Sequence, residues 1–432
     1  MIYSRLLQYA IRALLVMALS GCANSATPPA SASPTTSLQE PSPFPTAVEP
    51  LVILTPTPLI TTFEQCVNVG GSIQRTYPRQ CISYNDESFE EVLPEGIVFS
   101  HIYGNKGMGN REDPYFIMST LDGGYLITGI ANDSQCLVRK INSSGEEEWA
   151  YRLGRELSEE FQLVNASFNC WSAAQSPDGE YRVLVHGANG SVGKFFLIQF
   201  DKEGKRGPGT VINYRQGRSL HLDKDGNVLW LKSFGLAAKV IEASDGGYAF
   251  VGRFPNDSPD GSTHIFKTDA KETYLWEANL CRDKYVQQAW QQDIVCSYAY
   301  LRDAIQSQDG SYVLAGGLGD GVWLLKTDPQ GSIEWIKSYP VGMSRSIGSD
   351  LIQTSDGGFL IAGMGQGDGM LIKTDATGNL QWSKTFGGSE RDEFRMIKQR
   401  PNDEIVILGL TESFGDAREN TWLLGIDLSA IK

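Results

Sequence analysis

Long hydrophobic runs, zinc-spaced cysteines, paired histidines and excess positive charge are all missing from this chain of 432 residues. Each absence removes a class of function. The apolar run Ala13–Leu19 is too short to cross a bilayer as a permanent helix. Seven cysteines form no CxxC pair, and His101, His186, His221 and His264 stand at no metal-ligating spacing, which argues against a structural metal. Lys and Arg total 37 against 51 Asp and Glu, so a polyanion meets net repulsion and no nucleic-acid partner is expected. No serine nucleophile elbow is present. Gly363–Gly369 is glycine-rich but lacks the Lys-Ser/Thr of a phosphate loop, and Asp223–Asn227 starts like a calcium loop without the Glu that would close it. No cofactor and no metal site is therefore expected.

What the chain has in abundance is glycine (46), Phe (18), Tyr (17) and Trp (9), the materials of short strands, frequent turns and a filled β core. They are arranged in a repeat. A DG-type turn followed by an apolar strand occurs at Asp122-Gly123, Asp178-Gly179, Asp245-Gly246, Asp309-Gly310, Asp356-Gly357 and, degenerate, Asn402-Asp403. Asp and Gly suit hairpin positions of positive φ, so their recurrence is first a backbone requirement. Each turn is preceded by a strand such as Asp350–Thr354 and followed by a second apolar strand such as Val322–Asp328. A last strand then carries a tryptophan: Trp149, Trp230, Trp276, Trp335 or Trp382. Labelled a to d, four antiparallel strands in about 50 residues make one propeller blade. The last repeat lacks strand d, and Ile97–Gly104 is an orphan of that type, so the N-terminal strand is expected to complete the last blade and close the ring. The fold class is all-β: a single β-propeller over residues 96–432, of six blades by count, or seven if residues 205–226 form a degenerate one. Over roughly 97–432 the chain resembles the DGGY-type β-propellers of bacterial and archaeal surface proteins, a resemblance that implies fold and little about function.

Ahead of the propeller, residues 1–21 with Arg5 and Arg12 read as a signal peptide, and Leu19-Ser20-Gly21-Cys22 resembles the lipobox of bacterial lipoproteins. That resemblance implies a lipid on Cys22, with the protein held at the cell surface or on the periplasmic side by its anchor alone. Residues 22–62, rich in Pro, Ser and Thr, read as an extended stalk. Residues 63–95 resemble a small cysteine-paired module found ahead of larger domains in bacterial secreted proteins. Pairing by sequence neighbourhood would join Cys66 to Cys81, Cys136 to Cys170 and Cys281 to Cys296, though six cysteines allow 15 arrangements. An even set suits an oxidising compartment.

The a–b and c–d turns share one face of the disc, and the more variable b–c and d–a loops share the other. Variable loops on a rigid scaffold are the usual place for binding. The longest, Cys281–Cys296, carries Arg282, Tyr285 and Trp290: two aromatics on a stapled loop for a partner or sugar ring, or side chains that pack on their own blade. Glu159 and Glu160, beside Glu156, read as paired acids or as a solvated charged loop. Asp303 and Asp350 occupy equivalent places before strand a, near the channel, where they would bind a cation or satisfy strand-end hydrogen bonds. The function expected is a monomeric binding scaffold for an extracellular protein or glycan. The competing expectation is a glycan hydrolase or lyase at the channel mouth, whose acids would come one per blade.

Overall fold

The computed structural model describes parts of residues 62–104 and most of 111–431. Residues 1–61 lie outside the description, as do 105–110, 190–191, 213–217, 223–227, 233–235, 254–262, 281–299, 342–346 and some shorter gaps. Cys22, Cys281, Cys296, Arg282, Tyr285 and Trp290 all fall in these stretches.

Six four-stranded antiparallel sheets form a β-propeller. In the order a to d, blade one is Glu112–Ser119, Tyr125–Ala131, Gln135–Ile141 and Glu147–Leu153. Blade two is Ser167–Gln175, Tyr181–Asn189, Val192–Phe200 and Arg206–Ile212. Blade three is Leu236–Glu242, Tyr248–Arg253, Thr263–Thr268 and Tyr274–Asn279. Blade four is Tyr300–Gln306, Tyr312–Leu318, Gly321–Thr327 and Ile333–Pro340. Blade five is Ile347–Gln353, Phe359–Gly365, Asp368–Thr374 and Leu380–Phe386. Blade six is Asp392–Gln399, Glu404–Thr411 and Asn420–Asp427, completed by Ile97–Tyr103 from the start of the domain. That closure joins the two ends of the array through one hydrogen-bonded ladder and leaves no open sheet edge there.

One expectation is corrected. Among the described residues, 205–226 do not make a seventh blade, and Trp230 is not on a strand d. Arg206–Ile212 supplies strand d of blade two, while Arg218–Leu222 and Val228–Lys232 form a separate two-stranded ribbon. The tryptophan rule misled because blade two's own strand d has none.

The repeated residues prove to be joints. In blades one, three and five a buried lysine on strand c, Lys140, Lys267 or Lys373, reaches the turn aspartate Asp122, Asp245 or Asp356, each at 2.8 Å. Each lysine also donates to the next residue's carbonyl. This latch explains the second glycine of the motif. A Cβ on Gly124, Gly247 or Gly358 would stand 2.1–2.3 Å from that carbonyl oxygen and 2.6–2.8 Å from the ammonium nitrogen. Blade four has Ser311 there, and Lys326 is more exposed than the other three, 11% against 6% at most. The first glycine answers a different need, with φ of +82° at Gly123 and +81° at Gly357.

A second joint links neighbours. Trp149, Trp276 and Trp335 on strands d press on the c–d turn glycines of the next blade, Gly204, Gly331 and Gly378, where a Cβ would lie within 2.9 Å of the indole. Buried apolar clusters fill the spaces between adjoining sheets, for instance Phe168, Phe196 and Phe200 with Leu126 and Val138 between blades one and two. Each such large side chain contributes about 1.5–3 kcal/mol. Cys136–Cys170 ties strand c of blade one to strand a of blade two, as expected. Cys66–Cys81 closes a module of three short strands, Ser72–Gln74, Gln80–Ile82 and Ser88–Glu90, with Phe89 packed on the disulfide. So short a core relies on the cross-link, which contributes about 3 kcal/mol.

Candidate functional site

Strand a is innermost, and in all six blades its pairing with strand b is interrupted by a bulge at the same place. The extra residues are Tyr115, Trp171, Ala238, Arg302, Ser349 and Arg395, each seven positions ahead of its turn aspartate, or of Asn402 in blade six. A bulge re-aims a side chain and opens the ladder locally. Here six bulges occur at one level, and the residues they carry differ in every blade except for two arginines. Tyr115 and Trp171 are 40% and 53% exposed despite their size.

Four of these inner strands line a cavity of about 380 Å³, formed by Tyr115, Arg302, Ser349, Glu393, Arg395 and Met396 with Pro114. Because its walls come from the inner strands of blades one, four, five and six, it lies on the channel. All of these residues but Met396 sit in the first half of their strands, on the side of the d–a connections. Arg395 is held through one guanidinium nitrogen by Asp113 and by the Pro114 carbonyl at 3.3 Å. A second cavity of about 500 Å³ runs between the inner strands of blades three and four, past Lys239, Glu242, Gln306 and Gln308.

Asp303 and Asp350 follow the bulge directly and lie within strand a, not before it. They are 2% and 7% exposed. Asp303 pairs with Lys239, which holds the same register in blade three, and accepts the Leu351 N–H at 3.0 Å. Asp350 accepts the Ile397 N–H at 2.8 Å and is close enough to Asp303 to feel its charge. Burial first, and then the neighbouring Asp303 charge, push the Asp350 carboxyl up to about 8. Burial alone would lower the Lys239 ammonium, but the two carboxylates outweigh it and raise its pKa. The two acids thus stitch blade three to four, four to five and five to six, each oxygen answering a neighbour's backbone or side chain. Among the described residues no group of three or more His, Cys, Asp or Glu is placed to hold a metal ion.

Residues 155–161, expected as loop, form a short helix, Arg155–Phe161. It separates the glutamates: Glu159 faces solvent beside Arg155 at 3.1 Å, and Glu160 pairs with Arg206 and accepts the Gly209 N–H at 2.9 Å. Burial opposes ionisation of Glu160, but Arg206 and the Gly209 amide prevail and lower its pKa. They are not a pair of acids. Arg302, Arg395, Tyr115 and Ser349 escaped sequence reasoning because a bulge adds a residue that period-two alternation does not contain. Their constant offset from the DG turn was the signal that would have found them.

No protein-family model matches this chain, and no curated protein matches its sequence. Solved structures with a similar course include a protein of unknown function from Bacteroides caccae (13% identity, 73% of this chain and 92% of that one, TM-score 0.33). Drosophila Plexin A in complex with Semaphorin 1b (8%, 78% and 88%, TM-score 0.45) and the polysaccharide lyase Uly1 (13%, 74% and 78%, TM-score 0.35) are others. Similarity at this level carries no information on function.

Proposed function

We propose that the protein is an extracytoplasmic propeller, tethered through a lipid on Cys22, that binds a protein or glycan at its channel mouth and does not transform it. The observation that carries this reading is the ring of bulges, where an otherwise repetitive scaffold presents Tyr115, Arg302, Ser349 and Arg395 at one level around a cavity of about 380 Å³. That volume suits one sugar residue or one peptide side chain with its backbone. A half-exposed phenol ring gives a stacking face, and arginines and a hydroxyl give donors. The disulfides Cys66–Cys81 and Cys136–Cys170 support an oxidising compartment. No helix among the described residues is long and apolar enough to cross a membrane.

The competing hydrolase or lyase needs acids set for catalysis, with glycosidase carboxylates standing about 5–9.5 Å apart. Asp303 is instead engaged by Lys239 and the Leu351 N–H and Asp350 by the Ile397 N–H, and Glu393 is engaged by Arg391 and Arg395. Screening the purified full chain against glycan and peptide arrays, beside Tyr115→Ala and Arg302→Ala, tests the reading. Loss of the captured ligand in both variants supports it, whereas turnover of an arrayed glycan by the wild type overturns it.

A further inference from the structure

Three residues ahead of the bulge, blades one and six carry equivalent acids, Glu112 opposite Ala131 and Asp392 opposite Thr411. Both are closed off from solvent, at 1% and 0% exposure. Glu112 is neutralised by Arg139 at 2.7 Å and again by Arg152. Asp392 has no such cation among the described residues. Its Oδ2 accepts the Gly388 N–H at 2.8 Å and the Ser413 hydroxyl at 2.7 Å, while its buried Oδ1 has no partner among the described residues.

What faces Asp392 is another acid. Asp368 opens strand c of blade five, and its Oδ1 and the Asp392 Oδ2 lie 2.4 and 2.6 Å from the point where a Cβ on Gly387 would stand. The two carboxylates therefore share one small volume, kept open because residue 387 has no side chain. No hydrogen bond or ion pair among the described residues compensates Asp368, whose pKa is raised by burial and by the Asp392 charge. A buried carboxylate lacking a counter-charge costs several kcal/mol, so Asp392, closed off from solvent with the half-buried Asp368 facing it, calls for either a shared proton or a cation.

We propose that a divalent cation, calcium by its oxygen chemistry, binds between Asp368 and Asp392. Two carboxylates supply the charged ligands, and loop carbonyls and water supply the rest, a donor set without nitrogen or sulfur that favours calcium over zinc. The ion would fasten three pieces of the loop face: the b–c turn of blade five at Gly365–Asp368, the d–a connection at Gly387–Asp392, and Ser413 after strand b of blade six. A site of this charge and partial hydration belongs with weak extracellular calcium sites, of Kd about 0.1–1 mM.

Calorimetric titration of the metal-free full chain with calcium chloride, with magnesium chloride as comparison, tests this. One binding event per chain is expected, with calcium at about 10 mM raising Tm by a few degrees. Asp368→Asn should abolish the heat and the shift while remaining folded and, without calcium, at least as stable as wild type. Gly387→Ala, which fills the volume without changing charge, should weaken binding at least tenfold. Absence of a calcium response in the folded wild type overturns the proposal and leaves a shared proton as the solution. Unchanged calcium affinity in Asp368→Asn overturns it equally.

Discussion

The DGG turn that the latch closes and the bulge on the inner strand lie seven residues apart on one hairpin of strands a and b, and they behave in opposite ways. At the turn, three blades repeat the same lysine, the same aspartate and the same glycine, with ion-pair lengths that agree. At the bulge the backbone repeats in all six blades while the side chains run through Tyr, Trp, Ala, Arg, Ser and Arg. Residues that must be identical to close a blade are architecture. Residues that the backbone holds in place but leaves free to vary are where recognition is available.

Substitutions should separate the two regions cleanly. The largest effect belongs to the latch. Gly358→Ala puts a Cβ 2.2 Å from the Thr374 carbonyl oxygen, and unfolding by urea should show a loss of about 3 kcal/mol or more. Next comes the network behind the bulge. Asp303→Ala leaves the buried Leu351 N–H without an acceptor and Lys239 without its partner, for about 2 kcal/mol. The Lys239 side chain keeps 39% of its surface in solvent, so the full cost of a stranded buried charge does not apply.

Asp350 offers a pH test with a definite sign. Its folded pKa, about 8, lies above its unfolded value, so between about pH 4 and 8 the native state binds the extra proton and stability falls as pH rises. Asp350→Asn should be near neutral in stability at pH 7, and the difference between wild-type and variant curves should slope downward over that interval and be flat outside it. The latch aspartates Asp122, Asp245 and Asp356 have depressed values, so they act in the opposite sense, and their stabilisation disappears only as pH drops below about 4. The smallest effect is the converse of the first: Ser311→Gly recreates the DGG turn in blade four. With Lys326 free to sink in, its stability should stay within about 1 kcal/mol of wild type, since glycine's backbone entropy opposes the gain.

Much of the architecture was legible because its cause is local. Positive φ at Gly123 and Gly357, alternation along the strands and the missing strand d of the last repeat each leave a mark in the sequence. Trp230 shows the limit: a residue that usually marks strand d also occurs on a ribbon, and pairing, not composition, decided. The site was less legible. Asp303 and Asp350 stood out as equivalent carboxylates, but their partners Lys239, Leu351 and Ile397 come from neighbouring blades across dozens of residues. The same holds for Asp368 and Asp392, which look like ordinary loop acids until the turn and the d–a connection are folded together.

The most direct test of where recognition resides uses the array-selected ligand against two double variants of the full chain. One is Tyr115→Ala with Arg302→Ala in the channel mouth, and the other is Tyr285→Ala with Trp290→Ala between Cys281 and Cys296. Binding should fall at least tenfold, about 1.4 kcal/mol, in the channel pair with Tm nearly unchanged, and persist in the loop pair. Retained binding in the channel pair together with loss in the loop pair would contradict the account and move the site to the segment between Cys281 and Cys296.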